Sequence, residues 1–305
     1  MEIPAELAGR PPQSTLAWAA HVVGPTARVL RVRRFRNAWA AAMHAIDIAE
    51  GDSTHRLVLR RWARTDFGPD PGVVENERAA LVLLTGTASL AAPRFVAADP
   101  DAVVADVPAL LMTRLPGAPR LAPADIDRWL DDLVTTLHAV HDQPLPSGAL
   151  GEYQPWTSDY EEPPEWTSNP GAWRALIDAA HEPAPATARG LCHRDFWPGN
   201  VLWRRDRVSG IVDWTHACRG PAAVDVAHCG ANIAWLFGVD AADEFARRYG
   251  TVEELSRFQL LEVAGWGLEP ADVWRWHDAG RTDLSFALMT ERVDEFVTRA
   301  ARRAG

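Results

Sequence analysis

The chain has no lysine. All 31 of its basic side chains are arginine, against 41 acidic ones, for a formal net charge of −10 over 305 residues. Any fixed cation it presents is therefore a planar guanidinium and not a compact ammonium. The acidic balance argues against nucleic acid as a partner, because phosphate backbones call for a basic surface. Cysteine is scarce. Cys192, Cys218 and Cys229 lack the spacing of a disulfide framework and read as reduced, inert thiols, an expectation that goes with a cytoplasmic protein. No apolar run approaches the roughly 20 residues of a membrane span. The opening MEIPAELAGRPPQS has no basic flank followed by an apolar stretch, so neither a signal peptide nor a membrane partner is expected. What remains is a globular chain with room for about two domains.

Hydrophobic patterning changes character near residue 115. Before it, ARVLRVRRF (27–35), AAAMHAIDIAE (40–50), HRLVLRRWA (55–63), PRFVAAD (93–99) and VPALLMTRL (107–115) read as strands. PGVVENERAALVLLTG (71–86) reads as a helix with proline at its start and glycine at its end. Ser14 or Thr15 is placed to cap a short helix that stops before Gly24. The expectation is a five-stranded antiparallel meander with one helix inserted. After LPGAPRL the spacing turns helical, first in PADIDRWLDDLVTTLHAVH (123–141), then near 171–181, and from Pro221 to the end. The fold class is thus α+β. A strand-rich half, 1–115, is followed by a helical half, 116–305, and ligands favour the cleft at such a division.

The chemistry concentrates in CHRDFWPGN (192–200) and in GIVDW (210–214). A carboxylate facing a hydroxyl accepts its proton during attack on a phosphate, a role open to Asp195. Five residues on, the amide oxygen of Asn200 suits a hard divalent cation. Asp213, at the end of a second strand, suits the same ion. Three oxygen-bearing side chains without paired Cys/His spacing favour magnesium over zinc.

These two segments resemble the catalytic loop and metal-binding aspartate of the aminoglycoside phosphotransferase family, small-molecule relatives of the protein kinases. The shared spacing is H-x-D-x-x-x-x-N followed by an aspartate after a short hairpin. The resemblance implies a protein-kinase-like bilobal fold. Residues 1–115 would form the nucleotide-binding N-lobe, and 116–305 would form a C-lobe with the catalytic loop and substrate site. It implies Asp195 as the base, with Asn200 and Asp213 holding Mg2+. In LVLR, Arg60 stands where the family's phosphate-binding lysine would be, and in ENERAALVLL Glu77 stands at its helix partner. Arg61 and Glu75 are the fallbacks. LLMTRLPG resembles the hinge, with Met112 beside the base of ATP or GTP and backbone groups of Thr113 and Leu115 at its edge. GPAAVDVAH places Asp225 where it would brace the catalytic loop, and His193 is a packed loop histidine. Two departures stand out. The lysine is an arginine, and the loop RRFRNAW has no glycine, which leaves Asn37, Arg34 and Arg36 to approach the phosphates.

Other features carry plainer readings beside sharper ones. His138 and His141 stand three apart on a helix, but with no partner motif a metal site there is a minority reading. The fourteen tryptophans are first of all packing residues. The acidic stretch that includes Asp159, Glu161 and Glu162 is either a solvated face or an attractor for a cationic acceptor. The function implied by the resemblance is ATP-dependent transfer of a phosphoryl group to a small-molecule hydroxyl, on an aminoglycoside or another antibiotic. The chain would act as a monomer or weak dimer. The alternatives are a metabolite kinase of the homoserine or choline type and a non-catalytic nucleotide-binding module. A metal hydrolase built on His193, Asp195 and His216 lacks metal-ligand spacing. A protein kinase is disfavoured because no activation-loop segment follows GIVDW.

Overall fold

The structure, a computed structural model, describes residues 5–35, 41–62, 71–87, 89–156, 158, 160–266 and 273–305. Arg36 and Asn37 of the first strand loop lie outside these residues, as does Asp159. The chain divides into two compact units, Met1–Pro116 with Gly210–His216, and Gly117–Ser209 with Ala217–Gly305. The segment carrying Asp213 therefore belongs with the N-terminal half.

In the first unit, helices α1 (Ala5–Ala8) and α2 (Gln13–Val23) precede strands β1 (Arg28–Arg34), β2 (Ala41–Glu50) and β3 (Ser53–Trp62). Helix α3 (Pro71–Leu83) and strands β4 (Phe95–Asp99) and β5 (Ala109–Thr113) complete it. The sheet is antiparallel in the order β1-β2-β3-β5-β4. It is not a meander, because β5 pairs with β3 and pushes β4 to the edge. The proposed cap of α2 is also corrected. Its N-cap is Pro12 with no side-chain hydrogen bond, and the Thr15 hydroxyl instead donates to Asp106 Oδ1 at 2.8 Å.

Alternation along the strands sorts the side chains onto two faces. Ile46 and Ile48 of β2, Leu57 and Leu59 of β3, and Ala109 and Leu111 of β5 pack with Leu16 and Ala19 of α2 into one core. The opposite face takes the intervening residues, paired across the strands as Met43 with Arg60, Ala45 with Val58, Val58 with Met112 and Arg60 with Leu110. Arg60 and Met112 thus share a face, and Arg61 belongs to the other. In α3 the buried positions Val74, Glu77, Ala80 and Leu81 repeat at the three-to-four spacing of a helix stripe, so Glu77 lies in the buried line and Glu75 does not.

The second unit is built on helices. Asp125 caps α4 (Ile126–His141) by accepting from Arg128 N at 3.0 Å. Asn169 caps α5 (Pro170–His181) in the same way. Then come α6 (Ala222–Phe237), α7 (Val239–Tyr249), α8 (Leu255–Ala264), α9 (Val273–Asp278) and α10 (Phe286–Ala304). Helix α6 is buried on nearly all sides, as expected of a helix that is apolar around its circumference. Short strands β6 (Ala118–Pro119), β8 (Val201–Arg204) and β9 (Arg207–Ile211) form one small sheet. Strands β7 (Gly190–Cys192) and β10 (Cys218–Gly220) form another. No helix among the described residues is long and apolar enough to cross a membrane.

Candidate active site

The catalytic-loop segment follows β7 and leads into β8. Its shape is fixed by Asp225 at the start of α6, a carboxylate with no solvent exposure. Asp225 Oδ2 accepts from His193 N at 2.8 Å and Oδ1 from Arg194 N at 2.7 Å. Oδ2 also meets His141 Nε2 at 3.0 Å, and the other nitrogen of that ring meets the Tyr249 hydroxyl at 2.7 Å. Burial works against the charge of Asp225, but His141 and the His193 amide outweigh it and hold the carboxyl below its ordinary value. These bonds pin Arg194 in a left-handed conformation, φ 72°, which costs a non-glycine residue about 1–2 kcal/mol. His193 is fully buried, and its Nδ1 accepts from Asp195 N at 3.3 Å.

Asn200 Nδ2 donates to the Asp195 backbone carbonyl and to Asp195 Oδ2, both at 2.9 Å. The amide is thereby oriented with its oxygen away from those acceptors. Gly199 is required by close approach, since a Cβ there would lie 2.1 Å from the Trp197 ring. Asp195 Oδ1 lies 3.1 Å from His228 Nε2, and His228 Nδ1 lies 3.1 Å from Glu262 Oε2. Glu262 in turn accepts from Arg194 at 2.6 and 2.8 Å. Burial opposes charge on His228, but the flanking carboxylates prevail and raise it to about 9.

In the first unit, Arg60 is 3% exposed and Glu77 fully buried. Arg60 Nη1 donates to Glu77 Oε1 at 3.0 Å and to Asp213 Oδ1 at 2.6 Å, and Nη2 donates to Asp213 Oδ2 at 3.2 Å. Thr215 adds a 2.7 Å hydrogen bond to Asp213 Oδ1. Burial pushes Glu77 up, to about 7, against the pull of Arg60. Asp213, clasped by both prongs of the guanidinium, is held at about 2 despite its desolvation. Asp213 also sits at φ 67°. Alternation along β3 decides between the two arginines, because Arg61 turns to the other face and donates to Asp106 at 2.5 Å and to the Leu7 carbonyl at 2.9 Å. Glu75 pairs on the surface with Arg78.

Met112 is buried on the Arg60 face. The Thr113 amide donates to the Arg94 carbonyl at 2.9 Å, and its hydroxyl accepts from Arg94 N at 2.8 Å. That amide is therefore already engaged, and Leu115 lies two residues past β5. Glu161 and Glu162 are exposed, and Glu162 is hydrogen-bonded to Arg174. The histidine pair on α4 splits into separate duties, since His138 stacks on Tyr249 with centroids 4.3 Å apart while His141 braces Asp225. Among the described residues His141, Cys192 and Asp225 also lie close enough to share an ion. The oxygens of Asp225 are already taken by two amides and a ring nitrogen, so that cluster is structural. Asn200 Oδ1 in the second unit and the ionised carboxylate of Asp213 in the first are each hard oxygen donors of the kind a divalent cation takes.

His228, Glu262 and the structural role of Arg194 were absent from the sequence reading. His228 and Glu262 stand 34 residues apart and Arg194 and Glu262 68, with no local spacing to signal either contact.

A family model described as phosphotransferase enzyme family matches residues 31–266. A homoserine kinase of Rhodopseudomonas palustris is 40% identical over 76 residues, 25% of this chain and 23% of that protein. The matched stretch thus spans about a quarter of the curated relative's length. Among solved structures, a thermostable mutant of aminoglycoside phosphotransferase APH(4)-Ia in ternary complex with AMP-PNP and hygromycin B has a TM-score of 0.61 at 15% identity. It covers 95% of this chain and 98% of its own. Macrolide 2'-phosphotransferase MphH from Brachybacterium faecium has a TM-score of 0.53 at 15% identity, covering 92% and 97%. These two likenesses establish the fold, a kinase-like aminoglycoside phosphotransferase fold.

Proposed function

Since this chain belongs to the phosphotransferase enzyme family, we propose that it transfers the γ-phosphoryl group of ATP or GTP to a hydroxyl of a small molecule. The observation that carries the reading is the Asp195–Asn200 pair. A carboxylate and an amide joined by a 2.9 Å hydrogen bond are held in a loop whose backbone Asp225 fixes. Asp195 is the base that accepts the acceptor's hydroxyl proton. Asn200 and Asp213 each give an oxygen to Mg2+, which when bound supplies charge to the phosphates. Arg60 takes the place of lysine as the cation for the α- and β-phosphates, and Glu77 orients it. Met112, the backbone carbonyl of Thr113 and the backbone of Leu115 line the base. The presence of base and metal ligands together favours catalysis over a nucleotide-binding module without activity.

Two acceptor classes have support. One solved relative is in complex with hygromycin B, which favours an amino sugar and a role in resistance. The homoserine kinase stretch favours a small amino alcohol. Asp159, Glu161 and Glu162 suit a cationic acceptor of either class. Three buried thiols suit a reducing cytoplasm.

The test is magnesium-dependent ADP release from ATP across a panel of amino sugars, macrolides and amino alcohols. The reading predicts that one class stimulates release well above the rate without acceptor. No nucleotide binding, with or without magnesium, would refute it.

A further inference from the structure

Asp195 does not stand alone. It ends a chain of four groups of alternating charge, Asp195, His228, Glu262 and Arg194, of which the last three are buried. His228 is 7% exposed, Glu262 fully buried and Arg194 3% exposed. The His228 ring places each nitrogen 3.1 Å from a carboxylate oxygen, Nε2 at Asp195 Oδ1 and Nδ1 at Glu262 Oε2. A neutral imidazole has one N–H and one lone pair. Between two carboxylates its lone pair would face an acceptor, so only the doubly protonated ring satisfies both contacts. Glu262 is anchored in turn by both 2.6 and 2.8 Å bonds from Arg194. The Arg194 guanidinium is seated over Tyr153 and Trp156 at 4.7 and 4.2 Å. Among the described residues the charged partners of the ring are Asp195 of the loop and Glu262 of α8, with Arg194 beyond Glu262, and the Trp266 ring lies across it at 5.6 Å between centroids.

Resting on the phosphotransferase reading of Asp195, we propose that His228 is a positioning residue: an imidazolium, anchored by Glu262 and Arg194, that fixes Asp195 Oδ1 and leaves the Oδ2 edge to the acceptor hydroxyl. Asn200 holds that edge from the other direction. An adjacent cation weakens Asp195 as a base. In phosphoryl transfer the transition state is loose and the hydroxyl proton leaves late, so orientation matters more than basicity. The chain of charges also keeps the buried cluster neutral overall, two positive and two negative, which limits the cost of desolvation.

The experiment has two arms. The 15N signals of the His228 ring, assigned by their absence in His228→Gln, report protonation without requiring an acceptor. Both nitrogens are expected to be protonated at pH 7. A ring with one bare nitrogen at that pH overturns the proposal. In the kinetic arm, His228→Ala lowers kcat by about 10- to 100-fold, the scale of a misplaced reacting group, while nucleotide affinity and acceptor KM stay within about twofold. His228→Gln, which keeps an N–H donor but carries no charge, recovers part of the loss. Adding His228→Ala to Asp195→Asn costs little further, because the two act as a unit. Full kcat in a folded His228→Ala, beside a collapse in Asp195→Asn, removes the positioning role and leaves the phosphotransferase reading standing. Unchanged turnover in Asp195→Asn removes the reading itself, whatever the ring's protonation. Should His228→Ala not fold, His228→Gln and the wild-type signals still decide.

Discussion

Arg60 stands where the family pattern has a lysine. In the absence of lysine, its forked guanidinium reaches Glu77 and both oxygens of Asp213 together, a geometry that a single ammonium does not reproduce. The two carboxylates do not share the cation equally. Asp213 keeps its charge, while Glu77, fully enclosed, is pushed to about 7. Glu77→Gln should therefore change stability by less than about 1 kcal/mol at pH 7, since it keeps the acceptor oxygen and removes a charge that is only partly present. Glu77→Ala leaves a cavity and an unmet donor, and should cost about 2–4 kcal/mol. Urea unfolding of both variants checks this, and equal losses would contradict it. In nucleotide binding, Arg60→Ala and Glu77→Ala should each weaken affinity, with the double variant less than additive. A double-mutant cycle that adds strictly would detach Glu77 from the role of Arg60.

At the scale of elements, strand β2 carries a titratable group of its own. His44 is 1% exposed. Its Nε2 donates to the Gly9 carbonyl at 3.0 Å, and its Nδ1 has no partner among the described residues. Burial, reinforced by the Arg61 charge, lowers it from 6.5 to about 4. The folded chain thus resists protonation that the unfolded chain accepts. The stability held above pH 6.5 is lost as pH falls towards 4, by about 3 kcal/mol in full. The difference in unfolding free energy between pH 7 and pH 4 should shrink in His44→Gln, and identical pH slopes would refute the assignment. The strands and the long helices were legible because their periods are local. The sheet order was not, since nothing in PRFVAAD or VPALLMTRL says which of them pairs with β3. The resemblance names Arg60 first and Arg61 as its fallback, and strand alternation places the two on opposite faces of β3.

At the scale of the whole molecule, the polar residues of CHRDFWPGN and GIVDW were legible because their spacing is a signature. Their support was not. His141, His228 and Glu262 come from three different helices, and only the packed second unit brings them to the loop. The Gly210–His216 segment joins the first unit although its neighbours in sequence belong to the second, a return that no linear pattern announces. A ligand that binds only the folded chain stabilises it by mass action, about 2.7 kcal/mol at a hundred times its dissociation constant. Magnesium with ATP should raise the unfolding midpoint, and Asp213→Ala should abolish the part that depends on magnesium. A variant that keeps the whole magnesium effect would show that Asp213 is not a ligand.

The central claim is that Asp195 serves transfer of a phosphoryl group to an acceptor hydroxyl. The most direct measurement is mass spectrometry of the acceptor itself, after incubation with magnesium and ATP and wild-type protein or Asp195→Asn. The acceptor is expected to gain the mass of one phosphoryl group with the wild type. The isosteric variant, with nucleotide affinity intact, should form product about 10²–10⁴ times more slowly. Product formed at the wild-type rate by Asp195→Asn would contradict it.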